Sequence, residues 1–268
     1  MAGPLDWGVS AECARALAGI EAEPIVLSGG DVSQVYRVGD RVVKLLPGAP
    51  SEFFASEARG LRRLAAAGAP VPRVRRVAAD GIVMDWLEPG PTDWGGLGRV
   101  VAALHARPAP TYGTEHPQFL GRFRFGGGTD HDVTRFLVER RLRPLLKATR
   151  PTLGRPRADR VARFLDELQL VPEGPREVHG DLWAGNVLHT QAGPMLIDPS
   201  AQGAERAYDL SMMKLFGGFP KAFWRAYEAE LPLTEAAREA LPAHELVFVL
   251  VHVAMFGASY CAAVDRLV

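Results

Sequence analysis

Across 268 residues, 31 lysines and arginines balance 31 aspartates and glutamates, and 47% of the residues are hydrophobic against 23% charged. That is ordinary for a globular chain with one or two cores, and a pI near 7.1 makes no electrostatic case for nucleic acid or an anionic membrane as partner. Cys13 and Cys261 stand at opposite ends and form no C-x-x-C site; with no basic and apolar leader at the N-terminus, a reducing cytoplasm is the expected setting.

In chain order, Ser10 caps a first helix that Gly19 ends. Three β-rich runs follow at residues 24–27, 34–38 and 41–46, joined by glycine turns, and predict an antiparallel meander. The first of these turns holds Gly29, Gly30 and Ser33; its glycines let a backbone come close to a ligand, but no G-K-[ST] follows, so it is not a Walker A loop. Residues 51–68 have apolar positions at Phe53, Phe54, Leu61 and Leu64 and a stop at Gly68, which predicts a helix. Two more strands are expected at residues 74–78 and 81–88, then a helix begun by Thr92 or Asp93 and ending in His105. Residues 108–129 are glycine-rich and predict a loop. Residues 132–148 predict a helix interrupted at Pro144, and 158–170 another. The C-terminal third predicts helices at residues 207–216, 223–231, 234–241 and 244–267. The nearly uncharged stretch 246–263 carries His252, Ser259 and Tyr260 and is expected to be a buried helix rather than a membrane span.

The chemistry is concentrated in residues 177–200, EVHGDLWAGNVLHTQAGPMLIDPS. Asp181 follows His179 in an H-x-D string, Asn186 comes five residues later, and Asp198 ends a short apolar run. Phosphoryl transfer to a hydroxyl needs a carboxylate to orient the alcohol and take its proton, and oxygen ligands to hold Mg²⁺ against the phosphates. Asp181 suits the first role; Asn186 and Asp198 suit the second. His179 is expected to pack and hydrogen-bond within the loop.

HGDLWAGN, IDPS, the run Glu205-Arg206-Ala207-Tyr208-Asp209-Leu210 and LFGGFP at 215–220 together resemble the fructosamine kinase family, within the aminoglycoside phosphotransferase and protein-kinase-like superfamily. The resemblance implies a two-lobed α+β fold, with a small antiparallel-sheet N-lobe over residues 1–88, a mainly helical C-lobe over 89–268, and Mg-ATP between them. Lys44 then contacts the α- and β-phosphates and Glu57 positions it, with Glu52 as the alternative on the same helix. Met84 falls at the back of the adenine site, or packs the core, and Asp85, Trp86 and Leu87 form the hinge. Asp209 is expected to hold the catalytic loop's backbone. Trp183 either offers a face to a sugar ring or packs within the loop.

The implied reaction is transfer of the ATP γ-phosphoryl group to a sugar hydroxyl, with the 3-hydroxyl of a fructosamine as first choice. Residues 119–132 lack the tryptophans expected of the family, so a free sugar amine or small glycated amino acid is expected over a glycated protein. Pro199 stands where protein kinases carry the Phe of D-F-G, which argues against loop-phosphorylation control. The rivals are an aminoglycoside or other small-molecule phosphotransferase, and a nucleotide-binding regulatory pseudokinase; no feature of the sequence sets an oligomeric state.

Overall fold

The structure is a computed structural model that describes residues 10–27 and 32–268. Helix α1 (Ala11–Ala18) begins where the Ser10 side chain accepts from the Cys13 amide at 3.3 Å and ends at Gly19, in left-handed backbone. Strands β1 (Pro24–Leu27), β2 (Gln34–Val38) and β3 (Arg41–Leu45) form the antiparallel meander, and β4 (Val74–Val77) and β5 (Gly81–Asp85) complete a five-stranded sheet of order β1-β2-β3-β5-β4. Side chains alternate across a strand. Val38, Val43, Leu45 and Val83 therefore pack with Ala14 and Ala18 of α1, while Ile82 and Met84 pack with Phe54, Ala58 and Leu61 of α2 (Phe53–Ala66). Lys44 pairs with Val35 and Ile82 in the ladder, one residue out of phase with Val43.

The rest of the chain is mainly helical. Asp93 caps α3 (Trp94–His105) by accepting from the Gly96 amide at 2.7 Å. Residues 108–129 are not one loop: β6 (Tyr112–Thr114) and β9 (Gly128–Asp130) pair, and β7 (Gln118–Leu120) with β8 (Phe123–Phe125) makes a hairpin. Their brevity hides them in the sequence, since a three-residue strand carries almost no alternation. Beyond α4 (Val133–Arg135), the expected break at Pro144 is absent. The chain widens into a π-helical stretch at Phe136–Leu142 and enters α5 (Arg143–Leu153), with Pro144 in the first turn, where its missing N–H costs least. Helix α6 (Arg155–Glu167) packs on α5.

Strand β10 (Arg176–Val178) leads to the catalytic stretch, whose hairpin is β11 (Val187–Thr190) and β12 (Gly193–Leu196). Strand β13 (Gln202–Ala204) closes a second sheet of order β10-β13-β6-β9. Then come α7 (Ala207–Phe216), α8 (Lys221–Glu230) and α9 (Glu235–Phe256). The two expected C-terminal helices are fused in α9, which runs through Pro242 because the packing of Ala243 and Leu246 to Val251 in the core outweighs one lost backbone bond. It stops at Gly257 (φ +80°), before a 3₁₀ turn (Gly257–Tyr260) and α10 (Cys261–Val264). By length and composition, residues 235–264 are apolar enough to cross a membrane; in the fold, α9 lies against α5 and α7.

Candidate active site

The catalytic stretch is held by a buried carboxylate. Asp209, fully buried near the start of α7, accepts from the backbone amides of His179 at 2.7 Å and Gly180 at 2.8 Å, and its Oδ2 lies 3.1 Å from His105 Nε2. Burial works to raise its pKa, but the bond to His105 and the loop amides outweigh it and hold the carboxyl below the ordinary value. Gly180 has φ +82°, and a Cβ there would lie 2.0 Å from the carbonyl oxygen of Ser200, so this turn admits only glycine. His179 Nε2–H donates to the Ile197 carbonyl at 2.9 Å, which leaves Nδ1 to accept from the Asp181 amide at 3.3 Å. Burial holds this ring's pKa below the usual histidine value, as that tautomer requires.

Asp181 thereby projects into a cavity of about 540 Å³ that also touches Lys44, Asn186 and Asp198. Burial, then the negative charges of Asp198 and Asp209, push its pKa up to about 8. Asn186 donates from Nδ2 to the Asp181 carbonyl at 2.8 Å; its amide nitrogen is thus committed and its Oδ1 is the atom left for a cation. Asp198 adopts left-handed backbone (φ 56°), uncommon outside glycine but tolerated by Asp. Its carboxylate is in close contact with Lys44 Nζ, which also donates to Glu57 at 2.7 Å. Burial opposes the Lys44 charge, but the two carboxylates outweigh it and raise its pKa. Glu52, by contrast, pairs with Arg59 at 2.8 Å.

A second cavity, of about 420 Å³, lies on the other side of Lys44 and Asp198 and is lined by Val35, Val42, Met84, Asp85, Trp86 and Leu87. The amides of Asp85 and Trp86 are spent on the Arg73 and Asp40 carbonyls at 3.1 and 2.9 Å, whereas that of Leu87 donates to no backbone carbonyl among the described residues. Trp86 Nε1 donates to Glu88 at 2.7 Å, and the Arg37 guanidinium stacks 4.2 Å over its ring. Ser33 lines the cavity that contains Asp181 rather than this one. Gly29 and Gly30 lie outside the described residues. Trp183, about 38% exposed, faces the Asp181 cavity, and its indole lies across Gly185, where a Cβ would come within 2.2 Å of the ring.

Several contacts here are absent from any sequence motif. Arg63 on α2 binds Glu177 on β10 in bidentate fashion, at 2.5 and 3.1 Å, fastening the helix of Glu57 to the catalytic stretch. Gln118 on β7 donates to the Ser200 and Ala201 carbonyls at 2.8 and 3.0 Å, and Phe119 meets Phe53 of α2 edge to face. Glu205 and Arg206 stand away from the cavities: Glu205 accepts from Tyr112 at 2.6 Å, and Arg206 pairs with Glu173.

Comparison with known proteins identifies the family. The family model described as Fructosamine kinase matches residues 14–268. The chain belongs to the fructosamine kinase family. A Thermus thermophilus protein named as a ketoamine kinase is 46% identical over 253 residues, covering 93% of this chain and 95% of its own. A solved structure from Thermobifida fusca named for a fructosamine-3-kinase superposes with a TM-score of 0.84 at 32% identity, over 96% of each chain. An aminoglycoside phosphotransferase structure, at 16% identity and a TM-score of 0.59 over 96% of this chain and 98% of its own, shares the fold. Kinases of this family use ATP.

Proposed function

We propose that the protein transfers the γ-phosphoryl group of ATP to a hydroxyl of a small ketosamine, the 3-hydroxyl of a fructosamine being the first choice. The observation that carries this reading is the seam between the two cavities. Lys44 and Asp198 line both, and Asp181 lines only the larger. A donor on the apolar hinge side and an acceptor on the Asp181 side would therefore meet at the charged residues. The names of the Thermus and Thermobifida relatives support a ketoamine as that acceptor.

Asp181 is the base: it accepts the acceptor's hydroxyl proton, and burial with the negative charges of Asp198 and Asp209 raises its basicity. Lys44, held charged by Asp198 and Glu57, binds phosphate oxygens. Asp198 and Asn186 Oδ1 would hold Mg²⁺, and the donor set fits: a magnesium site takes one or two protein oxygens and fills its shell with phosphate and water. Bound there, Mg²⁺ neutralises phosphate charge. Met84 closes the back of the adenine cavity, the backbone at 85–87 is the hinge, the Leu87 amide is the donor free for a base edge, and the lobe junction falls near residue 89. Gly29, Gly30 and Ser33 are the residues we assign to the phosphates. Trp183 offers its indole face to the sugar. The cytoplasm, where Cys13 and Cys261 stay free thiols, is the setting we assign.

Incubation with Mg-ATP and fructosyl-lysine, with the phosphate located by NMR, tests the reading. Phosphate on the sugar 3-hydroxyl is expected. Phosphorylation of an aminoglycoside with none of the ketosamine overturns the acceptor assignment and leaves the kinase chemistry standing.

A further inference from the structure

Phosphoryl transfer does not explain the outer wall of the acceptor cavity. Beyond Asp181 the cavity reaches four rings, Phe216, His252, Phe256 and Tyr260. The His252 ring centroid lies 4.7 Å from that of Phe216, 5.0 Å from Tyr260 and 5.4 Å from Phe256. The sequence builds this cluster deliberately. Phe216 is the last residue of α7 because Gly217 and Gly218 follow at φ +68° and +85°, a turn that side chains resist. His252 and Phe256 stand one helical turn apart on α9, and the break at Gly257 brings Tyr260 back beside them.

Phe216 is 37% exposed and Phe256 56%, unusual for rings of this size. His252 Nδ1–H donates to the Phe248 carbonyl at 2.8 Å, which fixes the tautomer and leaves Nε2 as an acceptor with no hydrogen bond among the described residues. Burial holds this ring's pKa below the ordinary histidine value, so it is neutral near pH 7 and does not repel a cation. Among the described residues, the carboxylates lining the whole cavity are Asp181 and Asp198, and both are engaged in transfer.

We propose that these four rings form a subsite for the amine end of the acceptor, selecting a single secondary ammonium that carries an apolar substituent. The proposal rests on the ketosamine reading above and names the class of ketosamine. His252 Nε2 accepts an N–H of the ammonium, while Phe216, Phe256 and Tyr260 cover its charge and its apolar arm. Aromatic faces attract one cation well. Among the described residues of this cavity a polycation finds no further carboxylate to pair with its other charges, so its desolvation goes uncompensated.

Three synthetic acceptors test this with the unmodified enzyme: 1-benzylamino-1-deoxyfructose, its methylamino counterpart, and the neutral 1-O-benzylfructose. The benzylamino compound is expected to have the highest kcat/KM, by about tenfold over each of the others. In a Phe256→Ala/Tyr260→Ala variant the benzyl-to-methyl ratio should collapse toward one. Equal kcat/KM for all three acceptors overturns the proposal, as does a variant that keeps the full ratio, or a preference for fructosylated polylysine over the benzylamino compound. If neither ketosamine is phosphorylated while another alcohol is, the ketosamine reading itself has failed and the subsite falls with it.

Discussion

The catalytic seam and the acceptor wall share one cavity but are built by opposite means. At the seam, directional bonds hold the residues in place: Asp209 to two loop amides, His179 to Ile197 and Asp181, Asn186 to Asp181, Lys44 to Glu57 and Asp198. At the wall, four rings touch one another and a single hydrogen bond orients His252. Directional bonds demand one residue type at each position, whereas ring contacts depend on area and tolerate exchange. The residues of the reaction are thus fixed more narrowly than those of the acceptor wall.

The sharpest way to break the comparison is at the seam. Asp181→Asn keeps the shape but cannot take a proton; turnover should fall by on the order of 10²–10⁴ while ATP binding survives. An unimpaired rate on the enzyme's own acceptor would remove Asp181 from the role of base. Asp198→Ala should lower Mg²⁺-dependent ATP affinity by at least about tenfold, read from ATP titrations with and without the metal. If the metal dependence is unchanged, the cation is held elsewhere.

Arg63→Ala sharpens the comparison by loosening the seam from a distance. The bidentate pair with Glu177 is less than a quarter exposed on either side, and its loss should cost about 1–3 kcal/mol of stability in urea unfolding. It should also lower kcat more than it raises the KM for ATP, since the helix carrying Glu57 loses its anchor. A change in stability with kcat intact would make the pair a purely structural one.

The fourth prediction lies behind the wall, at His244 on α9. The ring is 2% exposed, neither nitrogen has a partner among the described residues, and burial lowers its pKa to about 3. The unfolded chain takes up this proton as pH falls through about 6.5 and the folded protein does not. Stability is therefore full above pH 6.5 and declines below it, by about 1.4 kcal/mol per pH unit, or about 2 kcal/mol by pH 5. His244→Leu should remove that part of the acid slope; unfolding curves at pH 7 and pH 5 showing the same slope in both proteins would refute it.

The two regions also differ in how far the sequence revealed them. Asp181, Asn186 and Asp198 fall at fixed intervals on one continuous stretch, so their spacing suggested their company, whereas Lys44, in a strand with turn signals on either side, joined them through the resemblance to kinases. The wall draws Phe216 from one helix and His252 and Phe256 from another, and only the packing of α7 on α9 joins them. LFGGFP stood out as a resemblance, yet its physical reason, a ring left at a helix end by two glycines, needs the backbone. Arg63 and Glu177 are 114 residues apart, and nothing local to either marks a partner. Pro144 and Pro242 read as breaks because a lone proline argues locally, whereas a π-helical turn and a packed core answer from the whole fold.

Gly60, on the same helix as Glu57 and Arg63, sits so close to the segment after Asp198 that a Cβ there would press on Pro199 at 3.0 Å. Protein kinases switch by swinging the corresponding helix away and back; here it is pinned by Arg63, by Phe119 and by this contact, with a proline where the switching phenylalanine would stand. That arrangement argues against regulation by a swing of this helix. Its rate should follow ATP and acceptor hyperbolically, without lag.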